Sequence, residues 1–331
     1  MVRQLVRLSV AAALLAGCGG SQPPIGAPGA MTQSSAIATH AERDRPWMLP
    51  EAKSEGLLYA TGGCLGTCVL SYPAGNLVGT LAVGGGYDNS GDCVDSTGNV
   101  FISNNDAVVE YAHGSVTPIA TLDLPGSAAL GCSVDPTTGD LAVVFSGSGE
   151  NVAIFSEASG TPTTYNSGID SSYCGYDNAG DLFVDGYGNG NAPALAELPS
   201  GGSAFSGVSV SASVGTPGQV QWDGDYITYE SRTKHDVAVS RLEVSGSEAT
   251  IVSTTQFDIN KNAMQSWIYK SKIFIPYDNN TQVGHQRRVG AWQYPRGGKP
   301  TASFQVRGEY RNSVNFQAVT FSPGLSGSLT R

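Results

Sequence analysis

The chain has 331 residues, 43 of them glycine, and only 14% are charged, the balance of many short strands joined by tight turns rather than of long helices. A formal net charge of −10, with no Lys/Arg cluster beyond Arg287-Arg288, sets the chain against nucleic acid and anionic headgroups as partners. Length fits either two average domains or one large all-β unit, so internal repeats must decide between them.

Residues 1–17 read as a secretory signal. Arg3 and Arg7 make a positive start, Leu8 to Ala16 an apolar stretch too short to span a bilayer, and small residues follow. Leu15-Ala16-Gly17-Cys18 resembles the bacterial lipobox, which implies cleavage before Cys18 and diacylation of its thiol. More than one acyl chain makes such an anchor stable. Gly19 stands where the inner-membrane retention signal of that family has Asp, so the resemblance implies a cell-envelope protein of the outer membrane. The expected membrane partner is thus reached through the N-terminal lipid. Residues 18–55, rich in Gly, Pro, Ser and Ala and including Pro23-Pro24, read as the lipidated cysteine and a disordered tether.

From residue 56 a repeat is visible. Cys93-Val94-Asp95-Ser96-Thr97-Gly98 precedes the apolar run Val100-Phe101-Ile102. Cys132 to Val143 and Cys174 to Val184 follow the same plan, and Trp222-Asp223-Gly224-Asp225 continues it. The turn glycines 98, 139, 180 and 224 recur every 41 to 44 residues, and a fifth turn falls at Tyr269-Lys270-Ser271-Lys272. Asp at the start of such a turn accepts backbone amides and Gly takes positive φ, so turn chemistry is the favoured reading of these aspartates over metal binding. A third and a fourth strand follow each pair, as at 107–111 and 116–122 or 151–155 and 161–165, giving four antiparallel strands per unit.

Leu57 to Thr61 reads as a second strand with no first, and Phe316 to Pro323 as a first strand with no second. Joining them completes one unit from both termini and removes a free sheet edge. Counting first strands near 93, 132, 174, 220, 266 and 318 gives six. The fold class expected is all-β, a single six-bladed propeller over 56–327. The repeats resemble bacterial propellers of the NHL and TolB-like type. That resemblance speaks to architecture and little to activity.

Five cysteines besides Cys18 leave at least one thiol unpaired. Cys64 and Cys68 flank a Gly-containing stretch able to turn back on itself, so a local disulfide is expected there. Cys93, Cys132 and Cys174 recur in three consecutive inner strands. Packing between blades is the first reading, with a bridge between neighbouring blades as the alternative and metal or redox chemistry behind both. His40 lies in the tether, His113 in a hairpin turn, and His235 and His285 in long loops. None has metal-helix spacing, and no metal site is assigned.

No nucleophile elbow, zincin motif, phosphate loop or dinucleotide fingerprint appears in the sequence. The longest insertion, Tyr277 to Arg288, and a shorter one, Glu230 to Asp236, read as loops presented by a rigid scaffold. His285, Arg287, Arg288 and Trp292 form the candidate ligand-contact loop, suited to carbohydrate or peptide. The expected function is a monomeric, envelope-tethered binding module for a protein, peptide or glycan, with no cofactor. The alternative, implied by the propeller resemblance, is a calcium-dependent lactonase or esterase with its site in the central channel.

Overall fold

Val100-Phe101-Ile102, Leu141-Ala142-Val143-Val144 and Leu182-Phe183-Val184 are each buried on both faces, and that explains the whole plan. A strand that is apolar on both sides must be covered by a sheet on each side. The computed structural model describes residues 45–324, apart from 63, 65, 84–90, 148, 212–214, 233–236, 260–264, 282–283 and 307–316.

The chain is all-β, a propeller-like arrangement of four-stranded antiparallel meanders. A short edge strand β1 (Trp47–Met48) precedes β2 (Gly56–Thr61), β3 (Thr67–Tyr72) and β4 (Leu77–Leu81). The next meander is β5 (Asp92–Val94), β6 (Val100–Asn104), β7 (Ala107–Tyr111) and β8 (Pro118–Asp123). Then come β9 (Ser127–Val134), β10 (Leu141–Ser146), β11 (Val152–Phe155) and β12 (Thr163–Tyr165). An eight-stranded sheet holds two further meanders. They are β13 (Asp170–Tyr176), β14 (Leu182–Tyr187), β15 (Pro193–Leu198) and β16 (Ser206–Val210), then β17 (Thr216–Trp222), β18 (Ile227–Arg232), β19 (Val237–Ser245) and β20 (Glu248–Phe257). They join by a two-residue parallel pairing of β16 with β20, Ser209 to Glu248 and Val210 to Ala249. The last are β21 (Trp267–Tyr269), β22 (Lys272–Thr281), β23 (Gly284–Gln293) and β24 (Ala302–Gln305), followed by β25 (Ala318–Ser322).

β25 pairs antiparallel with β2, from Leu57 with Ser322 to Thr61 with Ala318, so the two ends of the chain complete one sheet. Apolar clusters fill the spaces between consecutive meanders. Phe101 and Val108 meet Leu141 and Phe155, and Phe183 and Leu195 meet Tyr229 and Leu242. Phe274 and Val289 meet Leu58 and Phe321 across the junction of the chain ends.

The turns between first and second strands follow the expected chemistry. The Asp95 carboxylate accepts the Thr97 and Asn99 amides, each at 2.8 Å, and Asp177 accepts those of Ala179 and Asp181 at 2.8 and 2.9 Å. Gly98 and Gly180 take φ of +94° and +86°, where a side chain would be strained.

Three expectations are corrected. The insertion at Tyr277 to Arg288 is a long hairpin rather than a loop, since β22 and β23 pair from Lys272–Gln293 to Thr281–Gly284. Likewise Glu230 to Arg232 belongs to β18, paired with β19. Polar side chains hid both strands, because Glu230 and Arg287 are buried there without the apolar alternation that marks a strand. The tether is also shorter than expected: Trp47 and Met48 pair with Thr80 and Gly79, and Ala52, in a short 3-10 turn over Pro50–Lys53, is fully buried. Cys18, the rest of the proposed leader, His40 and His235 lie outside the described residues.

Candidate functional site: a buried polar network at one end of the inner strands

The first strands of successive meanders lie side by side: β25 meets β5, β5 meets β9, β9 meets β13, β13 meets β17, β17 meets β21 and β21 meets β25. The Asp–Gly turns close these strands at one end. The opposite end carries a set of polar groups with little contact with water.

That network runs through hydrogen bonds from one meander to the next. Thr67 Oγ1 lies 3.0 Å from Thr61 Oγ1, and Thr61 donates to Asp92 Oδ2 at 2.5 Å. The Gln265 side chain clasps the Asp92 backbone, accepting its N–H at 3.0 Å and donating to its carbonyl at 2.9 Å. The adjoining Ser266 donates to Glu230 Oε2 through its hydroxyl at 2.5 Å and its amide at 3.3 Å. Glu230 Oε1 lies 4.0 Å from the Arg232 guanidinium, which also donates to the Pro217 carbonyl and sits 5.8 Å from the Tyr173 ring centroid. Asp185 accepts the Tyr173 amide at 3.0 Å. Trp267, next after Ser266, is half-buried and packs against the apolar clusters of both the terminal sheet and the β5–β12 meanders.

Asp92 and Asp185 are 0% exposed and Glu230 is 1% exposed. Burial pushes the Asp92 carboxyl up to about 7, only partly offset by the Thr61 hydroxyl. Burial likewise raises Glu230, against Arg232 and Ser266, and holds Asp185 well above the usual carboxylate range, against the Tyr173 amide and Arg232. Each carboxyl keeps one oxygen, Asp92 Oδ1, Asp185 Oδ2 and Glu230 Oε1, without a hydrogen-bond partner among the described residues. A buried acceptor left so costs about 1–3 kcal/mol, and more when charged, so three in one region mark a place built for something other than stability. Among the described residues no group of three His, Cys, Asp or Glu side chains is arranged to hold a metal ion.

The residues singled out from sequence stand elsewhere. Cys64 and Cys68 are joined, with Cα atoms 5.3 Å apart, across the turn between β2 and β3. Cys93 and Cys132 are also joined, 5.7 Å between Cα atoms, so the bridge between neighbouring meanders replaces simple packing for these two. Among the described residues Cys174 is the free cysteine, and it is buried. The candidate ligand-contact residues lie along β23. Trp292 is 0% exposed, donates to the Gly298 carbonyl at 3.0 Å and packs edge-on to Phe257 at 6.0 Å. Arg287 is buried 3.9 Å from Asp278, and Arg288 is held to Ser303 at 2.7 and 2.9 Å. His285 sits in β23 opposite Asn280. Partners on neighbouring strands hold Arg287 and Arg288, where a loop would have left them to solvent. A signal for the missed residues was present: Asp185 and Glu230 each end an apolar run, Leu182-Phe183-Val184 and Ile227-Thr228-Tyr229, where a carboxylate has no cheap place.

No family model matches the chain, and no curated protein is similar to it in sequence. Solved structures are similar in fold. A chain of the nidogen/laminin complex has a TM-score of 0.59 at 11% identity, covering 81% of this chain and 98% of that one. A protein of unknown function from Bacteroides caccae has a TM-score of 0.59 at 12% identity, covering 81% and 99%. Against Kuenenia stuttgartiensis hydrazine synthase the chain spans only 63% of the other's length, at 13% identity and a TM-score of 0.48. At these identities the two fuller likenesses support a propeller-like fold and nothing about activity.

Proposed function

We propose that the protein is a lipoprotein of the bacterial cell envelope whose six meanders make a six-bladed propeller, acting as a binding module for a protein, peptide or glycan. The observation that carries the binding reading is the inequality of the two ends of the inner strands. One end spends its polar groups on tight Asp–Gly turns, while the other gathers buried carboxylates, each with one oxygen that has no hydrogen-bond partner among the described residues. Six first strands in side-by-side contact, with both chain ends sharing one sheet, support the blade count. Two disulfides suit an oxidising compartment outside the cytoplasm, and the Leu15 to Cys18 match supplies the anchor.

Intact mass spectrometry of the native protein tests the anchor: a chain starting at an acylated Cys18 is expected, and an unmodified chain cut elsewhere overturns it. Peptide and glycan arrays test binding. Hits are expected to weaken with Gln265→Ala, at the network end, and to persist with Thr97→Ala, at the turn end. Calcium-dependent turnover of lactones or esters by the same preparation would replace the binding module with a hydrolase.

A further inference from the structure

Charge is divided unevenly along the chain. Residues 54–231 hold 19 Asp and Glu side chains and no Lys or Arg, whereas residues 232–331 hold 13 of the 18 cations. Several of those cations belong to the turn end of the last two meanders. Arg241 lies in β19, and Lys270 and Lys272 flank Ser271 in the turn from β21 to β22. The Ser271 carbonyl accepts the Tyr294 amide at 2.9 Å, and Arg296 and Lys299 follow Tyr294 along the chain. Lys270, Arg296 and Lys299 are exposed.

Arg241 is held there with part of its side chain unspent. Its Nε donates to Asp223 Oδ2 at 2.6 Å, and the Tyr294 hydroxyl donates to the same oxygen at 2.6 Å. Asp223 Oδ1 accepts the Asp225 and Tyr226 amides, each at 3.0 Å, so this wholly buried carboxylate is fully engaged. The Tyr226 and Tyr294 ring centroids lie 5.5 and 5.4 Å from the guanidinium carbon. The Arg241 side chain is 19% exposed, and its Nη1 and Nη2 have no hydrogen-bond partner among the described residues, nor are they buried. Their N–H groups therefore face water.

A tie between two meanders needs only the Nε bond. The remaining edge is a flat fork of N–H donors, fixed by a carboxylate that has no lone pair left to compete for them, and that geometry matches the two oxygens of a carboxylate ligand. The neighbouring lysines and Arg296 add attraction for an anion in a chain that elsewhere repels one. Trp222 and Tyr226, both half-buried, flank the turn that carries Asp223. Aromatic rings beside a charged fork suit a sugar, which brings an apolar C–H face together with its acid group, better than an acidic peptide side chain, which brings the acid alone.

We propose that the turn end of the last two meanders is a binding site for a sugar acid, with the uronate carboxylate on the Arg241 fork. The site stands apart from the polar network at the opposite end and does not rest on the binding reading made for that end.

The full-length chain is titrated with trigalacturonate by calorimetry, beside galactotriose, acetyl-Gly-Asp-Gly-amide and sodium phosphate. Saturable binding of trigalacturonate alone is expected, weakened about tenfold or more by Arg241→Lys and unchanged by Gln265→Ala. Lys keeps the charge beside Asp223 and lacks the fork, so a loss in this variant reports the fork itself. Should Arg241→Lys fail to fold, Tyr226→Ala is expected to weaken the same ligand about threefold, and unchanged affinity there overturns the site. No saturation, equal binding of galactotriose, unchanged affinity in folded Arg241→Lys, or loss of binding in Gln265→Ala also overturns it. Equal or tighter binding of the aspartyl peptide or of phosphate overturns the sugar acid as the ligand.

Discussion

Asp92 shows how one side chain couples pH to the fold. Its folded value is near 7 against an ordinary value of 3.8, so between these limits the native state holds a proton that the unfolded chain has released. Stability attributable to Asp92 is therefore greatest at low pH, falls as pH rises from about 4 to about 7, and is flat above that. Asp92→Asn removes the charge that has to be buried. The variant is expected to be more stable than the parent at pH 8, on the order of 4 kcal/mol, and close to it at pH 4, as urea unfolding at both values would report. Equal gains at the two pH values would show that Asp92 is not the group involved. Trp292 makes the opposite case. Its ring lies wholly in the core between β20 and β23, so Trp292→Ala is expected to cost about 3–5 kcal/mol. The same variant, assayed where it is still folded, should bind ligand like the parent.

Individual elements draw their stability from different sources. The Cys93–Cys132 bridge spans 39 residues of sequence and ties β5 to β9, whereas Cys64–Cys68 spans 4 and closes one hairpin. Loop entropy in the unfolded chain makes the longer bridge worth about 4 kcal/mol and the shorter about 2. Serine replacements of each pair, compared by thermal and urea unfolding, are expected to fall in that order. The Asp–Gly turns are local devices of a few hydrogen bonds by comparison. Asp177→Ala loses two amide acceptances and is expected to cost about 1–2 kcal/mol, with no effect on ligand, because the turn lies at the other end of its strand. These turns were readable in advance since all their chemistry lies within five residues. The β22–β23 hairpin was not, because its strands are made by pairing across the turn, and Asp278, Asn279 and Asn280 look the same in a loop.

At the scale of the whole molecule, β25 is the element that joins the end of the chain to its beginning. Without it the inner edge of β2 is bare, and Phe321 no longer stacks on Phe274 at 5.3 Å. A chain ending at residue 317 is expected to lose its single cooperative unfolding transition and to aggregate through the exposed edge, which light scattering and a broadened melt would detect. The repeat of 41 to 44 residues, the Asp–Gly turns and the unmatched strands at the two ends were sufficient, before any coordinates, to specify meanders of four strands and the pairing of 57–61 with 318–322. Such features are local or periodic, and a single sequence records them directly. Only the tertiary structure decided which cysteines meet, that Trp292 serves the core, and that Gln265 and Ser266 reach Asp92 and Glu230. The partners in these contacts stand up to 173 positions apart and come from separate meanders. No local spacing encodes such a meeting. It exists only once the inner strands lie side by side and bring buried charge from distant segments to one end of the fold.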